Sequence, residues 1–273
     1  MTDLGPVNYA ALDVPEVLLR LFHPRPEPSR TGGHSSARDL LIPVADHVGL
    51  GARFHPAAAE APTILFFHGN GEIVADYDEL APLYRRQGVN FLPVDYRGYG
   101  RSTGVPTVSA MMRDAHGILR FARQWLPEQG YRGPLMLMGR SLGSASALEL
   151  AAAYPEQVAA LIVESGFAYA GPLLQLLGVN LAAIGFQEKA GFRNVDKIRA
   201  YPGPTLIIHA ENDHLIPLSD GQALYDAAGA MDKNLLIIPG ANHNDILFQG
   251  LEAYLAAIKK LADRISRGWG ARA

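Results

Sequence analysis

Six short apolar runs, at 63–67, 89–94, 135–138, 160–163, 205–208 and 235–238, recur along the chain with helical patterns between them. None of the runs alternates polar with apolar residues. Each therefore reads as a strand buried on both faces, as in a parallel sheet. Among the helical stretches, "YDELAPLYRRQG" ends at Gly88, "VSAMMRDAHGILRFARQWL" stops at Pro127 and "LSDGQALYDAAG" ends at Gly229. The last, "DILFQGLEAYLAAIKKLADRIS", sets Ile246, Leu247, Leu251, Leu255, Ile258 and Leu261 near one face. Alternation of this kind specifies a single α/β sheet covered by helices on both faces, with right-handed crossovers. Ahead of it, "LLIPVADHVGLGARFHP" reads as a β-hairpin.

Two segments fall outside this rhythm. Residues 1–39 read as a lead-in, with a short apolar piece around 17–21 followed by an irregular stretch rich in proline from Phe22 to Ser36. Residues 165–204 are too long for an ordinary loop and form either an inserted cap or a functional lid within a domain spanning 40–273. At 48% hydrophobic and 19% charged residues, the chain can bury a sizeable core. A net charge of −3 with no basic run argues against a nucleic-acid or anionic-membrane partner. The absence of cysteine excludes disulfides, thiolate metal sites and a cysteine nucleophile. The opening "MTDLGPVNYA" lacks the basic and apolar regions of a signal peptide. The apolar stretch at 171–186 is too short to span a bilayer, so a cytoplasmic location is expected.

Four motifs follow predicted strands, where open parallel sheets place their binding crevice. They are "FFHGNGE", "GRSLG", "HAENDHLIP" and "IPGANHNDI". In "GRSLG", Ser141 stands between two glycines where a strand turns into a helix. Small neighbours allow a very sharp bend that holds a hydroxyl out into a pocket. Such a serine needs a base, and the base needs a group to fix its tautomer. His243 lies after the last strand and Asp213 after the one before it, which gives the chain order Ser…Asp…His. Glu164, after the 160–163 strand, is a rival for the acid.

With "HGNGE", "DYRGYGRSTG", "GRSLG", "ENDHLIP" and "GANHND" in that order, the chain resembles the α/β-hydrolase superfamily of serine hydrolases. Within it, the resemblance is to a compact-capped branch of esterase, lysophospholipase and acyl-thioesterase type. It covers about 40–266 and implies Ser141 as nucleophile, His243 as general base then acid, and Asp213 as the orienting carboxylate. It also implies oxyanion donors in the backbone N–H of Leu142 and of Asn70, with Gly71 as the alternative to Asn70. The implied reaction is transfer of an acyl group from a small to medium-sized carboxylic ester or thioester to water, without a cofactor. A peptidase or acyltransferase would use the same triad, and a non-catalytic binding or interaction protein would share the scaffold.

Other polar residues have structural readings. His68, His209 and His214 are expected to shape loops, since a histidine base needs a positioned partner. Asp220 and Asp245 are expected at helix starts, where a carboxylate suits the positive helix end. Asp95 and Arg97 are expected to build their loop, and Arg140 to pack the elbow while pointing away from the pocket. No H-E-x-x-H or comparable ligand set is present, so no metal is implied. "GNGE" is not a phosphate loop, because no Gly-Lys-Ser/Thr follows it. In the 165–204 segment, Phe167, Leu173, Leu176 and Leu177 either complete the core or line an acyl pocket under a lid, with Gly71 as a further substrate contact.

Overall fold

The computed structural model describes residues 8–28 and 37–270. Strands β1 (Arg38–Ala45), β2 (Val48–Phe54), β3 (Thr63–Phe67), β4 (Asn90–Val94), β5 (Leu135–Arg140), β6 (Ala160–Glu164), β7 (Thr205–Ala210) and β8 (Lys233–Ile238) form one sheet. Their order is β1-β2-β4-β3-β5-β6-β7-β8. The first two make the expected hairpin, β2 joins β4 antiparallel, and all later pairs are parallel. The helices are α1 (Pro15–Leu21), α2 (Ala81–Arg86), α3 (Val108–Glu128), α4 (Gly143–Ala153), α5 (Ala170–Leu176), α6 (Asn194–Ala200), α7 (Leu218–Ala227) and α8 (Ile246–Gly270).

Both faces of the central strands are dry, which is why their sequences run apolar without alternation. Leu65, Phe67, Leu137, Leu161, Val163 and Ile207 face a core shared with α3, α4 and α7. Their neighbours Ile64, Phe66, Met136, Met138, Ile162 and Ile208 face the opposite core, closed by α2 and α8. This is the expected α/β architecture. Among the six strands that the apolar runs predict, the one that departs from two-sided burial is β8. It closes the sheet with β7 as its sole neighbour, and Ile237 is 37% exposed. Two helices also differ from expectation. Pro127 lies within the last turn of α3, and α8 is interrupted at Gly250 (φ −135°, ψ 28°), whose backbone presses against Ile238.

Residues 8–28 pack closely on the rest of the fold. Tyr9, Leu12, Val17, Leu21 and Phe22 are buried in the α3/α4 core. Tyr9 donates to Glu149 on α4 at 2.7 Å, and that carboxylate pairs with the buried Lys197 of α6 at 2.7 Å. Glu16 accepts from the Asn180 N–H at 2.9 Å, and Arg20 donates to the Leu177 carbonyl at 2.9 Å. Glu27 meets the fully buried Arg53 of β2 at 2.7 Å. The 29–36 part of the proline-rich stretch lies outside the described residues. Within 165–204, Phe167, Leu174, Phe192, Ile198 and Tyr201 are core residues. Among the described residues, no helix is long and apolar enough to cross a membrane.

Candidate active site

Ser141 sits between the end of β5 and the start of α4 with φ +50°, a left-handed conformation that non-glycine residues seldom adopt. Its flanking glycines answer to space. A Cβ on Gly139 would lie 2.3 Å from the Gly143 carbonyl oxygen, and one on Gly143 would lie 2.1 Å from that of Phe67. Only hydrogen fits at either place, so the bend brings the first turn of α4 directly onto β3 and β5.

The structure brings together the three residues that the sequence singled out. His243 Nε2 lies 3.1 Å from Ser141 Oγ, and His243 Nδ1 lies 2.7 Å from Asp213 Oδ2. A carboxylate can only accept, so Nδ1 carries the proton and Nε2 is left to accept from the hydroxyl. Asp213 is itself fixed, its Oδ1 accepting from the N–H groups of Leu215 and Ile216 at 3.0 and 2.8 Å. Burial pushes the Asp213 carboxyl up. The hydrogen bond and charge of His243, with these two N–H groups, outweigh that effect and hold it below the usual carboxylate range.

Glu164 stands elsewhere. It pairs with Arg140 across the β5–β6 register, its Oε1 lying 3.1 Å from Arg140 Nε, and its Oε2 accepts from Tyr254 at 2.7 Å. Burial raises its pKa, against the pull of Arg140. Arg140 does more than pack the elbow, and it does not turn fully away from the pocket. Its guanidinium also binds Glu72 of the "HGNGE" loop and donates to the His243 carbonyl at 2.8 Å, and it forms part of the wall of the cavity over Ser141. One planar, five-donor group thus ties together the loops that carry Ser141, Glu72 and His243.

The N–H groups of Leu142 and Asn70 have no hydrogen-bond partner among the described residues, whereas the Gly71 N–H faces the Tyr99 hydroxyl. The Asn70 side chain holds its own loop. Its Oδ1 accepts from the His23 N–H and from Tyr99 Oη, both at 2.8 Å. Arg25 adds a bond to the Gly71 carbonyl at 2.7 Å, and Glu72 accepts from the Gly69 N–H at 2.6 Å.

The remaining polar residues are mostly architectural. His68 is buried between the Gly69 carbonyl and Asp95, and Arg97 grips Asp114 with two bonds. His209 bonds the Ile216 carbonyl, and burial lowers its pKa. His214 meets Asn242. Asp245, just ahead of α8, accepts from the Asn242 N–H. Asp220 lies in the first turn of α7 without capping it. Its carboxylate reaches across to the Ala168 N–H at 2.7 Å and so ties down the chain leaving β6. Among the described residues, no cluster of three or more His, Asp or Glu side chains is placed to hold a metal ion.

A cavity of about 340 Å³ opens over Ser141, walled by Leu142, Gly71, Leu173, Leu177 and His243 among others. Phe167 is not among them. It is buried and walls a neighbouring cavity of about 290 Å³, which shares Leu173, Leu215 and Ile216 with the first.

A family model described as "Serine aminopeptidase, S33" matches residues 58–190. The human alpha/beta hydrolase domain-containing protein 17B is 31% identical over 212 residues, covering 74% of this chain and 66% of that one. The Mycobacterium tuberculosis protein Rv2307c is 29% identical over 226 residues, or 81% and 77% of the two chains. In solved structures, the Pyrococcus furiosus esterase Pf2001 superposes with a TM-score of 0.67 at 16% identity, covering 87% of this chain and 98% of that one. The chain belongs to the α/β-hydrolase superfamily. In this α/β-hydrolase, sequence reasoning missed His23, Tyr99 and Glu72. The alternating prolines of "HPRPEP" signal an extended segment able to lie across a surface, but they do not say which surface.

Proposed function

We propose that this α/β-hydrolase is a serine hydrolase that cleaves carboxylic esters or thioesters through an acyl-enzyme on Ser141. The observation that carries the reading is the unbroken hydrogen-bond chain Ser141–His243–Asp213. Ser141 Oγ attacks the acyl carbon while His243 Nε2 takes its proton, and the carbonyl π electrons move onto oxygen. The resulting oxyanion is received by the free N–H groups of Leu142 and Asn70, each contributing roughly 3 kcal/mol by the mutational yardstick for such donors. Collapse of the intermediate expels the alcohol or thiol, which takes the proton from His243. Water then repeats the sequence, with His243 as base, and releases the acid. Asp213 remains ionised throughout and stabilises the imidazolium.

The test is covalent labelling with a fluorophosphonate, combined with turnover of a panel of chromogenic esters and thioesters. The reading requires a label that is lost in Ser141→Ala, together with Ser141-dependent turnover of at least one ester or thioester. A label that persists on Ser141→Ala overturns it. The family model's description supports a second reading, an aminopeptidase using the same three residues. Aminoacyl amides cleaved faster than the matching esters would select it.

A further inference from the structure

The orientation of one amide sets which ring nitrogen accepts in a histidine that the mechanism does not use. Two donors, the His23 N–H and Tyr99 Oη, converge on Asn70 Oδ1, so Asn70 Nδ2 is the end that faces His23 Nδ1, at 3.2 Å. An amide nitrogen donates, so Nδ1 of neutral His23 accepts and Nε2 bears the hydrogen. The ring is exposed, walls the cavity over Ser141, and its Nε2–H has no partner among the described residues.

The cavity wall carries both apolar and polar residues. Leu173, Leu177, Leu215 and Ile216 make an apolar part, while His23, Asn70 and Asn244 bring polar atoms. An acyl chain suits the apolar part. The leaving alcohol must lie within reach of His243, whose chain neighbour is Asn244, because it takes its proton there. Charge narrows the choice of alcohol further. The Arg140 guanidinium is already balanced by Glu72 and Glu164. Although burial pushes the Glu72 carboxyl up, Arg140 and Tyr77 hold it below its ordinary range, so the cation and the anion in the wall are paired with each other and leave no free cation to receive an anionic alcohol.

Resting on the hydrolase reading above, we propose that His23 is a specificity-determining residue whose Nε2–H hydrogen-bonds a neutral oxygen on the leaving alcohol. Hydroxylated or ether-bearing alcohols are then preferred over both plain alkyl and anionic ones.

The experiment compares kcat/KM for 2-hydroxyethyl butyrate, the isosteric n-propyl butyrate, and 2-phosphoethyl butyrate. Wild type is expected to favour the hydroxyethyl over the propyl ester roughly tenfold, the value of one good hydrogen bond, and to cleave the phosphoethyl ester worst. His23→Phe should bring the hydroxyethyl-to-propyl ratio to about one, and His23→Gln, which keeps an N–H donor, should restore part of it. Both variants retain the His23 backbone N–H that meets Asn70 Oδ1 and Tyr99 Oη, His23→Gln also keeps an acceptor for Asn70 Nδ2, and melting temperatures check that the fold is kept. A ratio unchanged in His23→Phe, a flat ratio in wild type, or preference for the phosphoethyl ester overturns the proposal. Failure of wild type to cleave any ester or thioester, or to label Ser141, strikes the hydrolase reading instead. Labelling with a flat ratio strikes only the assignment of His23.

Discussion

Replacing Ser141 or His243 by Ala is expected to lower kcat by at least about a thousandfold while the circular dichroism spectrum stays unchanged, because members of such a set act as a unit. Asp213→Asn should cost on the order of 10⁴ by leaving His243 in the wrong tautomer. Glu164→Gln should cost far less, since both Glu164 oxygens are engaged by Arg140 and Tyr254. Reversal of those two effects would show that the acid is misassigned. Arg140 calls for a different measurement, because its guanidinium touches three loops at once. Arg140→Met is expected to lower kcat on the order of a hundredfold, with KM little changed, as the loops shift by fractions of an ångström to an ångström. Arg140→Lys should recover little, since an ammonium keeps the charge but lacks the planar fork. An Arg140→Lys variant with full kcat would mean that charge alone suffices.

Among the elements, α5 with its C-terminal cap Leu177 serves two purposes. Leu174 is 1% exposed in the core, whereas Leu173 and Leu177 face the cavity over Ser141. Leu174→Ala is therefore expected to destabilise the fold by roughly 2–5 kcal/mol in urea unfolding. Leu173→Asn and Leu177→Asn should instead weaken turnover of octanoyl esters more than acetyl esters at nearly unchanged stability. Equal losses on both substrates would assign these two leucines to the core alone. At this scale the sequence was highly legible. Apolar runs without alternation identify strands covered on both sides, and the order of motifs identifies the three residues gathered at the sheet edge. The half-exposed β8 was not legible, because an edge strand packed by α7 and α8 reads locally like a central one. The short reach of α5 was hidden too, since its apolar residues are split between core and cavity with no single stripe.

For the molecule as a whole, the feature least legible in the sequence is the path of residues 8–28, because proline spacing gives an extended chain but no destination. Its anchor is the set formed by Tyr9, Glu149 and Lys197. Burial favours a neutral Glu149, but His116 and Lys197 outweigh it and bring its pKa from 4.5 to about 2. A folded pKa below the unfolded one means that this stabilisation is complete above about pH 4.5 and is lost as pH falls toward 2. Glu149→Gln should cost about 3 kcal/mol at neutral pH by leaving Lys197 buried without its counter-ion. It should also flatten the acid limb of the stability curve, and an unchanged limb would dismiss the pair as an anchor. The same anchors have a consequence in time. Tyr9 meets partners 140 and 188 positions downstream, and Arg20 one 157 positions downstream. A ribosome therefore releases this stretch long before the surfaces it docks on exist, and in refolding its long loops close late. Trp125, packed edge-on against Phe54, reports the core early. Its fluorescence should recover ahead of ester hydrolysis, so that a newly made molecule is folded for a while before it is competent.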